Sequence, residues 1–488
     1  MTRRVLALSA ALTLCLSCAF AAGFVQSPSG DSSAATSRLV GEVITNGQQL
    51  KYLSMLSDGI GSRLTGTDGA RRAEQMMEAE MKRLGLANVH REPFTMPASW
   101  ERGTAQAWLV SSGNRPLTVA SFTWAPGTSS ALEGELVHVG AGRPDDIARA
   151  RSRLKGAIAL ATPAGETLDA VIYNFYRTPL LARELKEAGA AALLIASDKQ
   201  HTMLYTSSVD FNGRVAALPT LSIAREDVGL VERLIGQGQS PRVRLDVRNK
   251  LGPAFEANNI VGEIRGRERP DEIVVVGAHL DSNDLGPGAL DNAAGCGAAL
   301  ETARAIKALG IVPRRTIRFV LFMGEEEGML GSNAYVARHR DEMDSIIAAL
   351  IMDVGAGKPL GWFSMGRTDL DDRIRDLMKP LAPFGVTAIE HAAFAATDNA
   401  AFMAEGVPNL ILLQDESVYF TVHHTIADTF DKADPRDYAI CAATVAATTF
   451  SIADARARLG RRLSAEEVKR MATESKVDEQ WRAAGIWR

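Results

Sequence analysis

Residues 273–310, IVVVGAHLDSNDLGPGALDNAAGCGAALETARAIKALG, decide how this chain folds. The opening IVVVGA is short, apolar and β-branched, as a strand buried on both faces should be. The segment AAGCGAALETARAIKAL has the length and composition of a helix. Further along, TIRFVLFM reads as a strand, SNAYVARHR as a helix, and IAALIMDV and NLILL as strands. A closing helix starts after Pro435 and runs through AICAATVAATTFSIADARARL. Strands alternating with helices predict an α/β domain.

On the N-terminal side of this domain the texture changes. Between about 118 and 248 short β runs such as ELVHVGAG, GAIALAT, AALLIAS and PTLSIA are separated by glycine-rich turns and short helices. No cluster of His, Cys or carboxylate occurs there, so the segment reads as an inserted non-catalytic domain. Before it, Ala70, Ala73, Met77, Met81 and Leu84 share one face of a helix predicted over 68–84, stopped by Gly85. Met76, Met77 and Met81 read as core filler rather than as a metal-binding group. The Ser/Gly-rich stretch SPSGDSSAATS reads as an N-terminal arm, and the charged tail 461–488 as helical and solvent-facing.

The extreme N-terminus differs from the rest. Arg3 and Arg4 precede the apolar run VLALSAALTLCLS, and Ala19-Phe20-Ala21 places small residues at a cleavage site. This pattern predicts an export signal over 1–21 and a periplasmic or extracellular protein with no stable membrane insertion. Cys15 and Cys18 leave with that peptide. Cys296 and Cys441 remain, in alanine-rich helical stretches without CxxC spacing, where a cysteine is a small buried hydrophobe. The formal charge is −4, or −6 once Arg3 and Arg4 are removed, and no basic block occurs; this argues against nucleic acid as a partner.

Chemistry-bearing residues gather at predicted strand ends. His279 and Asp281 follow IVVVGA, and Asp291 stands just before the next helix. Glu325 and Glu326 follow TIRFVLFM, Asp353 ends IAALIMDV, and His424 comes after NLILL. Open α/β sheets form ligand sites at the carboxyl ends of their strands. Each residue alone is uninformative, because a lone strand-end Asp usually caps a helix. Together, histidine nitrogen and carboxylate oxygen without thiolate suit zinc, or less well cobalt or manganese. Two ions are possible only if one carboxylate bridges. Asp281 and Asp428 are spaced to orient His279 and His424 through the second ring nitrogen. His90, His138, His201, His339 and His391 are isolated and read as structural or exposed, and Ser364 has no nucleophile-elbow context.

The segments H-L-D, G-A-L-D-N-A-A-G, E-E-E-G-M-L-G-S, M-D and H-T-I-A-D-T resemble those of the family 28 metallopeptidases, the two-zinc aminopeptidase group. Within that family, Trp100-Glu101-Arg102-Gly103, the doublet His423-His424 and the insert are similar to the plasma glutamate carboxypeptidase branch. The resemblance implies an α/β zinc-peptidase domain, a central mixed β-sheet flanked by helices, with an inserted β-rich protease-associated-type domain. On this reading 22–117 and 249–460 form the catalytic domain and 118–248 the insert.

The resemblance also implies roles. His279, Asp291 and Asp353 would hold one zinc ion, and Asp291, Glu326 and His424 a second. Glu325 would be the general base. The register among three glutamates follows from E-E-x-G-x-x-G-S, which Gly328 and Gly331 satisfy only if Glu327 is the variable position. His423 and Tyr419 are candidate donors to a developing oxyanion, and Asp398 resembles a substrate-side residue. The peptide after the bridging Asp291 is expected to be cis. Small peptides are the implied substrates and a homodimer the implied assembly. Two rivals are a single-zinc glutaminyl cyclase on the same scaffold and a non-catalytic binding protein derived from a peptidase.

Overall fold

The structure, a computed structural model, describes residues 32–163 and 168–483. The export signal expected at 1–21 lies outside the described residues. No helix among them is long and apolar enough to cross a membrane.

The strand Arg269–His279 lies inside an eight-stranded mixed sheet. It runs parallel to Arg315–Phe322 on one side and Ile346–Ile351 on the other, and the latter pairs in parallel with Asn409–Gln414. Every residue of Arg315–Phe322 and of Ile346–Ile351 is buried, as continuous apolar runs between helical layers require. Antiparallel strands complete one side, Phe255–Ile264 and then Ala87–Met96. Pro359–Phe363 and Ala388–Glu390 complete the other. The parallel order places the C-terminal ends of Arg269–His279, Arg315–Phe322, Ile346–Ile351 and Asn409–Gln414 along one edge.

The helix Ala294–Ala308 is almost wholly buried and packs against Gln49–Ser57 and Pro435–Asp454. Its small residues permit that close approach. The helix Asp68–Arg83 is capped by Thr67, whose hydroxyl accepts from the Ala70 N–H, with Asp68 in its first turn and Lys82 and Arg83 in its last. Met77 and Met81 are core residues, and Met76 packs against the core from its rim.

A second eight-stranded sheet lies within 105–247. Four parallel strands, Leu132–His138, Ile158–Ala161, Ala192–Ala196 and Thr220–Ile223, form its middle. Ala105–Leu109 and Arg115–Leu117 join its edge, so the sheet begins ahead of residue 118. The helix Leu168–Glu187 is longer than the short helices expected in this region.

Two expectations at the chain ends are corrected. The proposed N-terminal arm contains the start of a helix, Ser32–Asn46, because Leu39, Val40 and Val43 bury against the core. The C-terminal tail is helical over Ala465–Glu474 and Val477–Ala483 but does not face solvent. Val468, Met471, Ala472, Val477 and Trp481 are buried in a cluster with Phe363, Met365 and Phe394. Its charges occupy only the opposite face, and the i, i+3, i+4 apolar spacing of 468, 471 and 472 places the buried one. Cys296 and Cys441 are buried free thiols.

Candidate metal centre

Asp291 stands in a distorted turn, Ala289–Ala293, between the strand Arg269–His279 and the helix Ala294–Ala308. Its peptide bond to Asn292 is cis. One carboxylate oxygen lies 3.0 Å from His279 Nε2, and that same nitrogen lies 3.1 Å from Asp353 Oδ1. The other oxygen lies 3.1 Å from His424 Nε2, which is also 3.0 Å from Glu326 Oε2. Two histidine–carboxylate sets therefore meet at Asp291, and His279, Asp291, Glu326, Asp353 and His424 all belong to them.

The neighbouring His423 is stacked on His424, with ring centroids 3.8 Å apart, but its Nε2 is 3.4 Å from Asp291 and it makes no contact with Glu326. Both histidines present a ring nitrogen to Asp291, and His424 is the one that also pairs with Glu326. Burial, reinforced by His424, pushes the His423 ring's pKa well below the usual value.

Glu325 contributes to the same cleft without joining either set. Burial pushes its carboxyl well above the ordinary range; His279 opposes the shift, and Asp353, Asp398 and Glu326 add to it. Glu327 is fully buried and does not line the cleft. The turn that separates the three glutamates depends on Gly328, at φ +104°, where a Cβ would lie 2.3 Å from the Phe211 carbonyl oxygen. Gly331 is equally confined, by the Met323 carbonyl oxygen at 2.2 Å from such a Cβ.

Two orienting residues act differently from expectation. His279 Nδ1 faces the Asp281 backbone carbonyl at 3.1 Å, while the Asp281 carboxylate is 3.7 Å away. That carboxylate instead accepts from Thr65 Oγ1 and from the backbone N–H groups of Glu325 and Glu326, so Asp281 holds the glutamate turn. Asp428 accepts from the N–H groups of Leu290 and Asp291, at 2.7 and 3.0 Å. It therefore steadies the bridging turn rather than His424, whose Nδ1 has no hydrogen-bond partner among the described residues. Asp398 is fully buried, and Ala396 and Thr397 of the same segment line the cleft.

Sequence reasoning missed Arg63. Its buried guanidinium donates to the carbonyls of Leu280, Pro287 and Gly288, tying down the loop between His279 and Asp291. Nothing in its local sequence signals this, because all three partners are more than 200 positions away. The cleft beside these donor groups is walled from both sheets' segments of the chain. Its wall includes Ile172, Phe175 and Tyr205 from the second sheet's domain, facing Phe394, Tyr419 and Phe420.

The donor set tests what could occupy this centre. Three carboxylates and two imidazoles converge with their oxygens and nitrogens about 3 Å apart, and Glu326 Oε1 is buried without a partner. Buried anionic oxygens are costly unless paired or coordinated to a cation. The chemistry fits one ion per set, with the Asp291 carboxylate common to both.

Comparison with known proteins identifies the family to which the chain is similar. The profile of peptidase family M28 matches residues 259–449. Carboxypeptidase Q of Bos taurus is 30% identical, covering 84% of this chain and 86% of its own length. The Homo sapiens protein of that name is also 30% identical, over the same shares of both chains. The crystal structure of a peptidase M28 precursor from Shewanella amazonensis superposes with a TM-score of 0.82 at 28% identity, covering 89% of this chain and 99% of that one.

Proposed function

This chain belongs to peptidase family M28, and we propose that it is an exopeptidase hydrolysing dipeptides or other short peptides at two zinc ions, with Glu325 as general base. The observation that carries this reading is the division of Asp291 between two histidine–carboxylate sets on the floor of a cleft that also holds Glu325. Relatives named as carboxypeptidase and aminopeptidase support exopeptidase action.

Zinc held by these donors would polarise the scissile carbonyl and make a water acidic near neutral pH. His279 and Asp353 would hold one ion, Glu326 and His424 the other, and Asp291 both. Glu325 would take the proton of the attacking water on its carboxylate and return it to the leaving amine. The His423 ring can donate an N–H toward the carbonyl oxygen as negative charge develops there, and the Tyr419 hydroxyl is the alternative donor. Phe175, Phe394 and Phe420 give the cleft apolar walls for a substrate side chain.

The test is a panel of dipeptides and tripeptides with each terminus free or blocked, given to purified protein with added zinc. Unblocked dipeptides should be hydrolysed and doubly blocked peptides should not. Cleavage within doubly blocked peptides, or no hydrolysis of any member, would overturn the reading.

Export to the periplasm or beyond belongs to the same proposal, from Arg3, Arg4 and the apolar run that follows them. N-terminal sequencing of protein from fractionated cells should show a chain beginning just after Ala21. Intact Met1 on cytosolic protein would rule export out.

A further inference from the structure

A ligand histidine is ordinarily aimed by a hydrogen bond at its second ring nitrogen. His279 has one, from its Nδ1 to the Asp281 carbonyl oxygen. His424 does not: its Nδ1 is buried and unpartnered among the described residues. Its backbone is also in the left-handed region, at φ +58°, which a β-carbon disfavours. Within its own segment the ring is steadied by the stacked His423, 3.8 Å between centroids, and further support comes from another element.

The inserted domain supplies the support. Beyond the strand Ala192–Ala196, the chain crosses to the metal centre and lays Tyr205 flat on His424, with ring centroids 5.3 Å apart and planes 19° from parallel. The next residue, Thr206, donates its N–H to the His424 carbonyl oxygen at 3.3 Å. Its hydroxyl donates to Asn283 Oδ1 at 3.0 Å, and Asn283 Nδ2 donates back to the Thr206 carbonyl at 3.0 Å. Asn283 lies in the loop between His279 and Asp291, so the strap is tied to both sides of the centre. Earlier in the same segment Lys199 is buried, and its Nζ donates to the Phe420 carbonyl at 2.7 Å, just before the histidine doublet. That ammonium also sits 5.5 Å from the Tyr205 ring centroid, over the ring.

We propose that Tyr205 is a positioning residue through which the inserted domain sets the orientation of His424, and so the affinity of the one metal ion held by His424 and Glu326. Lys199 and Thr206 fix the strap that carries it. The site of His279 and Asp353 has its own hydrogen-bonded histidine and does not depend on the Tyr205 ring. The inference rests on the reading of His424 as a metal ligand. It gives the insert, read from sequence as non-catalytic, a part in tuning the metal centre.

The experiment uses the full mature enzyme and titrates zinc against a chelating dye, with thermal unfolding measured in parallel. Tyr205→Leu removes the flat ring face, and Tyr205→Phe keeps it. The parent and Tyr205→Phe should hold two ions alike. Tyr205→Leu should release one ion at about 10- to 100-fold lower chelator strength, the usual effect of losing a ligand's orienting partner, and keep the other unchanged. Excess zinc should restore its activity. If both ions stay as tight as in the parent, or both weaken together in step with a lower melting temperature, the proposal fails. Should Tyr205→Leu not fold, Lys199→Met is judged by the same criteria, with loss of one ion expected and equal retention of both decisive against. A parent that binds no zinc would defeat the proposed function itself, a result distinct from either outcome for the strap.

Discussion

Glu325→Gln is expected to retain both metal ions and to lose turnover by about 10²–10⁴-fold, the usual worth of general-base assistance. The amide keeps the size and much of the hydrogen-bonding shape of the carboxylate but cannot accept the proton. Glu325 lines the cleft and belongs to neither histidine–carboxylate set, so its replacement leaves those sets intact. Glu326→Gln should behave in the opposite way. Its Oε2 is 3.0 Å from His424 Nε2, so the substitution weakens one ion, and excess zinc should recover part of the activity. The measurement is zinc content and hydrolysis rate for both variants across a zinc titration. Near-full activity of Glu325→Gln, or metal loss from it rather than from Glu326→Gln, would reverse the two roles.

The second large effect falls on Asp291. Its two oxygens serve different histidines, so Asp291→Ala should weaken both ions together and abolish hydrolysis, whereas Asp353→Ala should spare the ion of His424 and Glu326. Elemental analysis of the two variants, dialysed side by side, distinguishes these outcomes. Retention of one tight ion by Asp291→Ala would show that the carboxylate is not shared. Full activity of the parent with a single bound ion would count equally against sharing.

The strand-end residues could be found from sequence because each ends or follows an apolar run whose period is local. The parallel order of Arg269–His279, Arg315–Phe322, Ile346–Ile351 and Asn409–Gln414 then brings His279, Glu326, Asp353 and His424 to one edge without further instruction. The glutamate register rests on the resemblance to the family motif, whose Gly328 and Gly331 occupy backbone positions that no side chain fits. The helical tail was legible as a helix, but not its burial: Trp481 and Val468 pack on Phe363 and Phe394, which lie some hundred residues earlier.

By itself, then, the sequence determined the alternating α/β order, the donor types and their placement at strand ends, because periodicity and motif spacing are short-range properties of the chain. Only the tertiary structure decided which groups steady them. Asp428 holds the Leu290 and Asp291 N–H groups rather than His424, and Asp281 holds the turn of Glu325 and Glu326. Arg63 clamps the Leu280–Gly288 loop, and Tyr205 reaches His424 from another domain. The reason is physical: these are contacts between segments from 44 to 225 residues apart, whose partners are chosen by the course of the folded chain and not by any pattern within either segment.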